Sequence, residues 1–211
     1  MASVQEIILV FTKYPVAGQS KTRLIPALGA EGAADLQRWM TRFIVSTIDT
    51  YIQEQQTAVE IYHDGGSNAS MQNWLGGERI YHQQSEGDLG QRMYTAIASR
   101  LPRYHSIILI GSDCPAVSTT HLAAGFSALR RHDIVLGPAY DGGYYLIGAG
   151  KTISREALAS VFTDIPWGDA RVLERTLEKI TDLKLNFHLL PKLHDIDTPN
   201  DLRYLHHHSD T

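Results

Sequence analysis

The chain has 211 residues, 43% of them hydrophobic and 20% charged, with 19 Lys plus Arg against 23 Asp plus Glu for a formal charge of −4. That length suits one domain with a sizeable core, and the acidic balance argues against the clustered basic face of a nucleic-acid binder. A lone cysteine, Cys114, excludes an intramolecular disulfide; with no membrane-length or signal-like apolar run, the sequence predicts a cytoplasmic protein that touches no membrane.

Strand-like and helix-like patterns alternate along the chain. Glu6 to Thr12 (E-I-I-L-V-F-T) is an apolar, β-branched run of the kind buried on both faces of a sheet. A Gly/Pro-containing loop, Tyr14 to Gly29, follows. Apolar residues then recur at helical spacing from Ala33 to Ile52. Thr57 to His63 reads as a strand ending in the turn signal Asp64-Gly65-Gly66, and Arg79 to Gln83 as a shorter one. Leu89, Met93, Ile97 and Leu101 mark a helix that starts near Gly87-Asp88. His105 to Ile110 (H-S-I-I-L-I) is a second strongly buried, near-unbroken apolar strand, expected beside or near the first at the centre of a sheet. A helix over Leu122 to Arg131, strands over Asp133 to Leu136 and Gly143 to Ile147, and an amphipathic helix from Val172 to Leu183 come next. A strand over Leu185 to Leu190 and a helix over Pro199 to Leu205 complete the pattern, before a polar tail, His206 to Thr211, expected to fray. No linker or repeat divides the chain, so residues 1–211 are expected to form one α/β domain on a mainly parallel sheet.

Ligands of open α/β sheets bind at the carboxyl ends of the strands, and four segments that follow strands hold most of the unusual residues. The first is F-T-K-Y-P-V-A-G-Q-S-K-T-R-L. Gly18 permits close backbone approach to an anion, and Lys13, Lys21 and Arg23 offer point charges and a bidentate fork, so this loop is a candidate phosphate cradle. An ordinary exposed basic loop reads the same way. Neither a Walker A loop nor G-x-G-x-x-G is present. The second is G-S-D-C-P, where Asp113 stands past a buried strand and either binds a hard divalent cation or caps a turn. Cys114 reads as a small buried residue rather than a nucleophile. The third is Y-D-G-G-Y-Y, a turn signal whose Asp141 is a candidate to orient an acceptor or take its proton. The fourth is H-D-I-D-T-P-N-D-L. Asp195 and Asp197 face the same way in an extended segment and, with Asp113, are candidates for a carboxylate cage; read alone, helix capping is the better explanation for Asp197 or Thr198 before Pro199.

Together with G-D-L-G-Q-R-M and the P-W-G of Pro166 to Gly168, these stretches resemble bacterial GT-A-like proteins labelled glycosyltransferases and associated with arsenosugar biosynthesis, within the nucleotide-diphospho-sugar transferase superfamily. The resemblance spans nearly the whole chain. It implies a three-layer, Rossmann-like GT-A fold with nucleotide near the first strand. It also implies metal contacts from Asp113 and Asp197, with Gly87, Asp88, Leu89 and Gly90 near the base or ribose. In place of the D-x-D usual for GT-A glycosyltransferases stands Ser112-Asp113-Cys114-Pro115, with one aspartate, while K-T-R-L looks like the triphosphate loop of nucleotidyltransferases. The leading expectation is therefore transfer of a sugar from a nucleoside-diphosphate sugar to a small-molecule acceptor, with Mg²⁺ or Mn²⁺ as cofactor. Nucleotidyl transfer to a phosphorylated molecule and non-catalytic nucleotide binding are the alternatives.

Overall fold

The computed structural model describes residues 5–208. The expected polar tail from His206 lies outside the described side chains. Seven strands, β1 (Glu6–Lys13), β2 (Thr57–Asp64), β3 (Ile80–Gln83), β4 (Ser106–Gly111), β5 (Ile134–Pro138), β6 (Tyr144–Gly150) and β7 (Phe187–Leu189), form one sheet in the order β3-β2-β1-β4-β6-β5-β7. β6 runs antiparallel to both its neighbours and the other pairings are parallel. β1 and β4 are adjacent central strands in the register Glu6↔Ser106 to Phe11↔Gly111, as their unbroken apolar character predicts.

Helices cover both faces. Successive strand residues point to opposite sides, so Ile8, Val10, Ile108 and Ile110 pack with α1 (Ile25–Glu54), α2 (Asn68–Leu75) and α4 (Thr119–Leu129). Ile7, Leu9, Ile107 and Leu109 pack on the other side with α3 (Leu89–Arg100), α5 (Arg155–Phe162) and α6 (Val172–Asp182). The result is a three-layer α/β fold, as the sequence implies.

The sequence pattern misses α2 and α5. Each has eight residues, too few for a 3.6-residue period to register, and each is set by a serine whose side chain accepts from a first-turn amide, Ser67 from Ser70 N and Ser154 from Ala157 N. α1 begins at Ile25, earlier than its periodicity suggests, because Gly29 (φ 72°, ψ 170°) interrupts the helix and obscures the first turns. The last helical stretch, Pro199–His208, is a 3-10 helix. No helix among the described residues is long and apolar enough to cross a membrane.

β1 leads to β2 on one side while β4 pairs on the other, so the connections diverge at the β1/β4 junction and leave a crevice at the carboxyl edge. Beneath it four buried side chains close a polar network. Thr12 Oγ1 and Thr41 Oγ1 are 2.9 Å apart, Gln37 Nε2 donates to Thr41 Oγ1 (3.2 Å) and Ser112 Oγ (3.1 Å), and Ser112 Oγ donates to Thr12 Oγ1 (3.0 Å). These bonds satisfy groups that would otherwise cost free energy to bury, and they tie the ends of β1 and β4 to α1.

Ile108 is fully buried between β1 and α4. Ile108→Ala is expected to cost about 2–5 kcal/mol through lost transfer energy and a residual cavity, read as a lowered urea midpoint with an unchanged slope.

Candidate functional site

The crevice is a cleft of about 800 Å³ at the carboxyl edge of the sheet. Six of the residues expected there line it: Lys13, Lys21, Arg23, Asp113, Asp141 and Asp197. Asp195, Gln37, Gln84, Arg92, Tyr144 and Trp167 line it as well. Gln37 carries a signal the sequence reading passed over: it is a lone amide on the apolar face of α1 that includes Ala33, Ala34, Met40 and Ile44.

The loop after β1 is built differently from a plain phosphate cradle. Ser20, fully buried, donates to Tyr14 O (3.2 Å) and accepts from Val16 N (3.0 Å), which folds the loop on itself around Gly18 (φ +78°). Gly18 forms this turn and is not part of the cleft wall. The turn drives Lys21 inward. Its ammonium lies 2.9 Å from Asp113 Oδ1 and 3.6 Å from Asp197 Oδ1, and donates to Ile196 O at 2.8 Å. The Lys21 side chain is 4% exposed, whereas that of Arg23, paired with Asp197 Oδ2 at 2.6 Å, is 68% exposed. Lys21, a candidate phosphate ligand by its sequence, is thus a buried cation shared by two carboxylates.

Asp113 and Asp197 do face one cleft, and the cation between them is the lysine's. Among the described residues no group of three or more His, Cys, Asp or Glu side chains is arranged to hold a metal ion. The donor set still suits a hard divalent cation completed by phosphate oxygens, because it consists of carboxylate oxygens, with Asp195 close by. Burial and the nearby Asp141 carboxylate raise the Asp195 pKa from 3.8 to about 6. None of the ion pairs among the described residues involves Asp141 or Asp195.

Backbone and ring contacts fix these two carboxylates. Gly143 N donates to Asp141 Oδ1 (2.8 Å), and Leu173 N donates to Gly142 O (2.8 Å), which docks the turn on the start of α6. Gly142 has φ +93°, and a Cβ there would strike the Ala170 carbonyl, so the turn requires glycine. Tyr140, His194 and Tyr204 stack with centroid spacings of 3.9 and 3.6 Å, capped by Lys192 and Arg203 at 4.8 Å from the outer rings. The stack joins the residue before Asp141 to the residue before Asp195. Cys114 is buried, donates to His194 O (3.1 Å), and has its thiol pKa pushed up to about 12 by burial, which leaves it inert as a nucleophile.

Gly87, Asp88 and Gly90 serve α3 in this structure. The Asp88 carboxylate accepts from Gln91 N (2.8 Å) while Gln91 Oε1 accepts from Asp88 N (3.1 Å), a complete capping box. Gly90 makes room for Trp167, whose Cζ2 would lie 2.5 Å from a Cβ at that position. Of the four G-D-L-G residues, Leu89 lines the cleft.

The family described as "Uncharacterized protein conserved in bacteria (DUF2064)" matches residues 47–169. A crystal structure from Desulfovibrio desulfuricans G20, provisionally described as a nucleotide-diphospho-sugar transferase, is similar at TM-score 0.86 and 31% identity, covering 100% of this chain and 90% of that one. The 4-diphosphocytidyl-2C-methyl-D-erythritol synthase of Anaerococcus prevotii DSM 20548 is similar at TM-score 0.61 and 10% identity (95% and 94% covered). Rv0371c of Mycobacterium tuberculosis H37Rv, in complex with manganese, is similar at TM-score 0.56 and 17% identity (95% and 98% covered). At the latter two identities the likeness shows the fold alone. No curated protein matches the sequence.

Two substitutions test this geometry. Because the folded-state pKa of Asp195 is raised, ionising it costs stability above about pH 6, and that cost vanishes below the ordinary value of 3.8. Asp195→Asn should therefore be more stable than the parent by about 1 kcal/mol near pH 8, allowing for solvent screening, with the gap closing by about pH 4 in thermal melts. Gly90→Ala should cost about 1–3 kcal/mol by overpacking against Trp167, and less in a Trp167→Leu background, as read by thermal melts of both backgrounds.

Proposed function

The chain belongs to the DUF2064 family, and on that premise we propose that it transfers a glycosyl group from a nucleoside-diphosphate sugar to the hydroxyl of a small acceptor. The observation that carries this reading is that Asp141 and Asp195 lie close together outside the ion pairs that tie Lys21 and Arg23 to Asp113 and Asp197. Lys13, Lys21, Arg23 and Arg92 line the side formed by the loop after β1 and the start of α3. Asp141 and Asp195 lie together on the side formed by the β5–β6 turn and the C-terminal segment, and among the described residues neither takes part in an ion pair. The basic side suits a diphosphate. The acidic side repels a phosphorylated acceptor and suits one that gives up a proton.

In this reading Lys13, Lys21 and Arg23 bind the donor's phosphates, and Asp113 with Asp197 would hold Mg²⁺ or Mn²⁺. A divalent cation supplies charge neutralisation at the departing diphosphate. Asp141 accepts the proton of the acceptor hydroxyl as its oxygen bonds to the sugar's anomeric carbon and the carbon–phosphate-oxygen bond breaks. Tyr144 and Trp167, packed edge to face at 6.4 Å, form an apolar wall that limits water at the reacting carbon. The D. desulfuricans relative, with its nucleotide-diphospho-sugar transferase description, supports the same donor class.

Nucleotidyl transfer is the second reading. It is favoured by the direct contact of the K-T-R loop with Asp113 and Asp197, which joins the triphosphate-handling and metal-binding elements at one point. Product analysis separates the two. With a panel of nucleotide sugars and nucleoside triphosphates plus Mg²⁺ or Mn²⁺, the expected product is nucleoside diphosphate, with the rate falling about 100-fold or more in Asp141→Asn. Pyrophosphate release from a triphosphate, without turnover of any nucleotide sugar, would overturn glycosyl transfer in favour of the second reading.

A further inference from the structure

The lysine held between Asp113 and Asp197 has the environment of a bound cation. Its ammonium has three donors and three oxygen partners: Asp113 Oδ1 (2.9 Å), Ile196 O (2.8 Å) and Asp197 Oδ1 (3.6 Å). Its backbone is left-handed (φ 49°, ψ 45°), a conformation that side-chain-bearing residues adopt sparingly and that persists where surroundings enforce it. Here the enforcement comes from the folded turn before it and from those three contacts. The other cation on this pair, Arg23, is mostly exposed and can leave at little cost.

A divalent metal and an ammonium seek the same carboxylate oxygens, and two cations side by side at this range repel each other strongly in a partly buried site. We propose that Lys21 is the resident counter-cation of the Asp113–Asp197 pair, and that a divalent cation takes these carboxylates only as the lysine transfers its ammonium to the phosphates of an arriving nucleotide. Metal and nucleotide therefore bind together, and metal binds weakly alone. The same exchange gives Lys21 both of the roles that the static geometry sets against each other, partner of the carboxylates before binding and partner of the phosphates after it. Asp113 supports the exchange because its side chain is 52% exposed and lines the cleft. This inference rests on the reading that the cleft takes a nucleotide with a divalent metal, and it is independent of which group is transferred.

The test uses the full chain and Mn²⁺, with the free ion counted by electron paramagnetic resonance. Without nucleotide, Lys21→Met is expected to bind Mn²⁺ about tenfold or more tightly than the parent, because a repelling charge is gone, while Lys21→Arg stays weak. Adding Asp113→Asn to Lys21→Met should abolish the gain, which locates it at this carboxylate pair. UDP and GDP should raise Mn²⁺ affinity in the parent and raise it less in Lys21→Met. Thermal melts check that each variant is folded, and Lys21→Gln serves as a second neutral variant if Lys21→Met is not. No gain in a folded neutral variant overturns the proposal, as does an equal nucleotide effect in parent and variant. Neither readout needs turnover, so failure of glycosyl transfer in the product assay would leave this result standing, and the converse also holds.

Discussion

One ammonium group joins the two ends of the chain. Lys21 reaches from the loop after β1 to the carbonyl of Ile196, 175 residues away, and to a carboxylate at the end of β4 on the way. A charge that is 4% exposed needs such partners, since an unpaired buried ammonium costs several kcal/mol. The requirement fixes the path of the loop, the tip of β4 and the course of the C-terminal segment relative to one another. Ile196 packs beside Leu24 and Met40 on α1, and its amide donates to Asp113 O at 2.9 Å, so the apolar and polar contacts enforce the same register. The cleft takes its shape from this junction.

Much of the fold is legible in the residues because its central strands leave little choice. The runs around Ile7–Phe11 and Ile107–Ile110 are apolar at every position, which suits a strand covered on both faces and little else. The site is legible by position, since the residues that follow those strands must lie at the carboxyl edge. Partners are what the sequence conceals. Lys21 reads as a phosphate ligand because lysine beside glycine in a loop has that chemistry, and nothing local announces two aspartates far along the chain. Gly87-Asp88 is ambiguous for another reason: a capping box and a ligand-binding helix start use the same residue types, and the structure shows the Asp88 carboxylate engaged with Gln91. Trp167 and Gly90 form a pair that only the fold brings together, although each stands in a stretch the sequence marks as unusual.

The two sides of the cleft differ in how firmly they are held. On the acidic side, Asp141 accepts from a backbone amide, Gly142 is locked under the Ala170 carbonyl, and the Tyr140–His194–Tyr204 stack braces the segments that carry Asp141 and Asp195. Stacked rings and backbone hydrogen bonds do not exchange readily for a ligand's groups. On the basic side, Lys13 is exposed and Arg23 is held by one partly exposed ion pair, which solvent screens. Lys21 is held firmly, but by ionic contacts that a stronger pair of ions can replace.

That asymmetry matters for any transfer reaction in which a charged donor meets a neutral acceptor. Charge must be rearranged where the phosphates arrive, and a general base must stay in place where the acceptor's proton leaves. On the acidic side, burial and the nearby Asp141 carboxylate raise the pKa of Asp195, and in the proposed reading Asp141 is the carboxylate presented to the acceptor hydroxyl. In the proposed reading, an exchangeable basic side would let an incoming diphosphate replace one set of ionic contacts with another, so that the buried lysine would keep an anionic partner throughout. The polar network of Thr12, Gln37, Thr41 and Ser112 lies beneath both sides and anchors the tips of β1 and β4 to α1, so ionic exchange above it need not disturb the sheet.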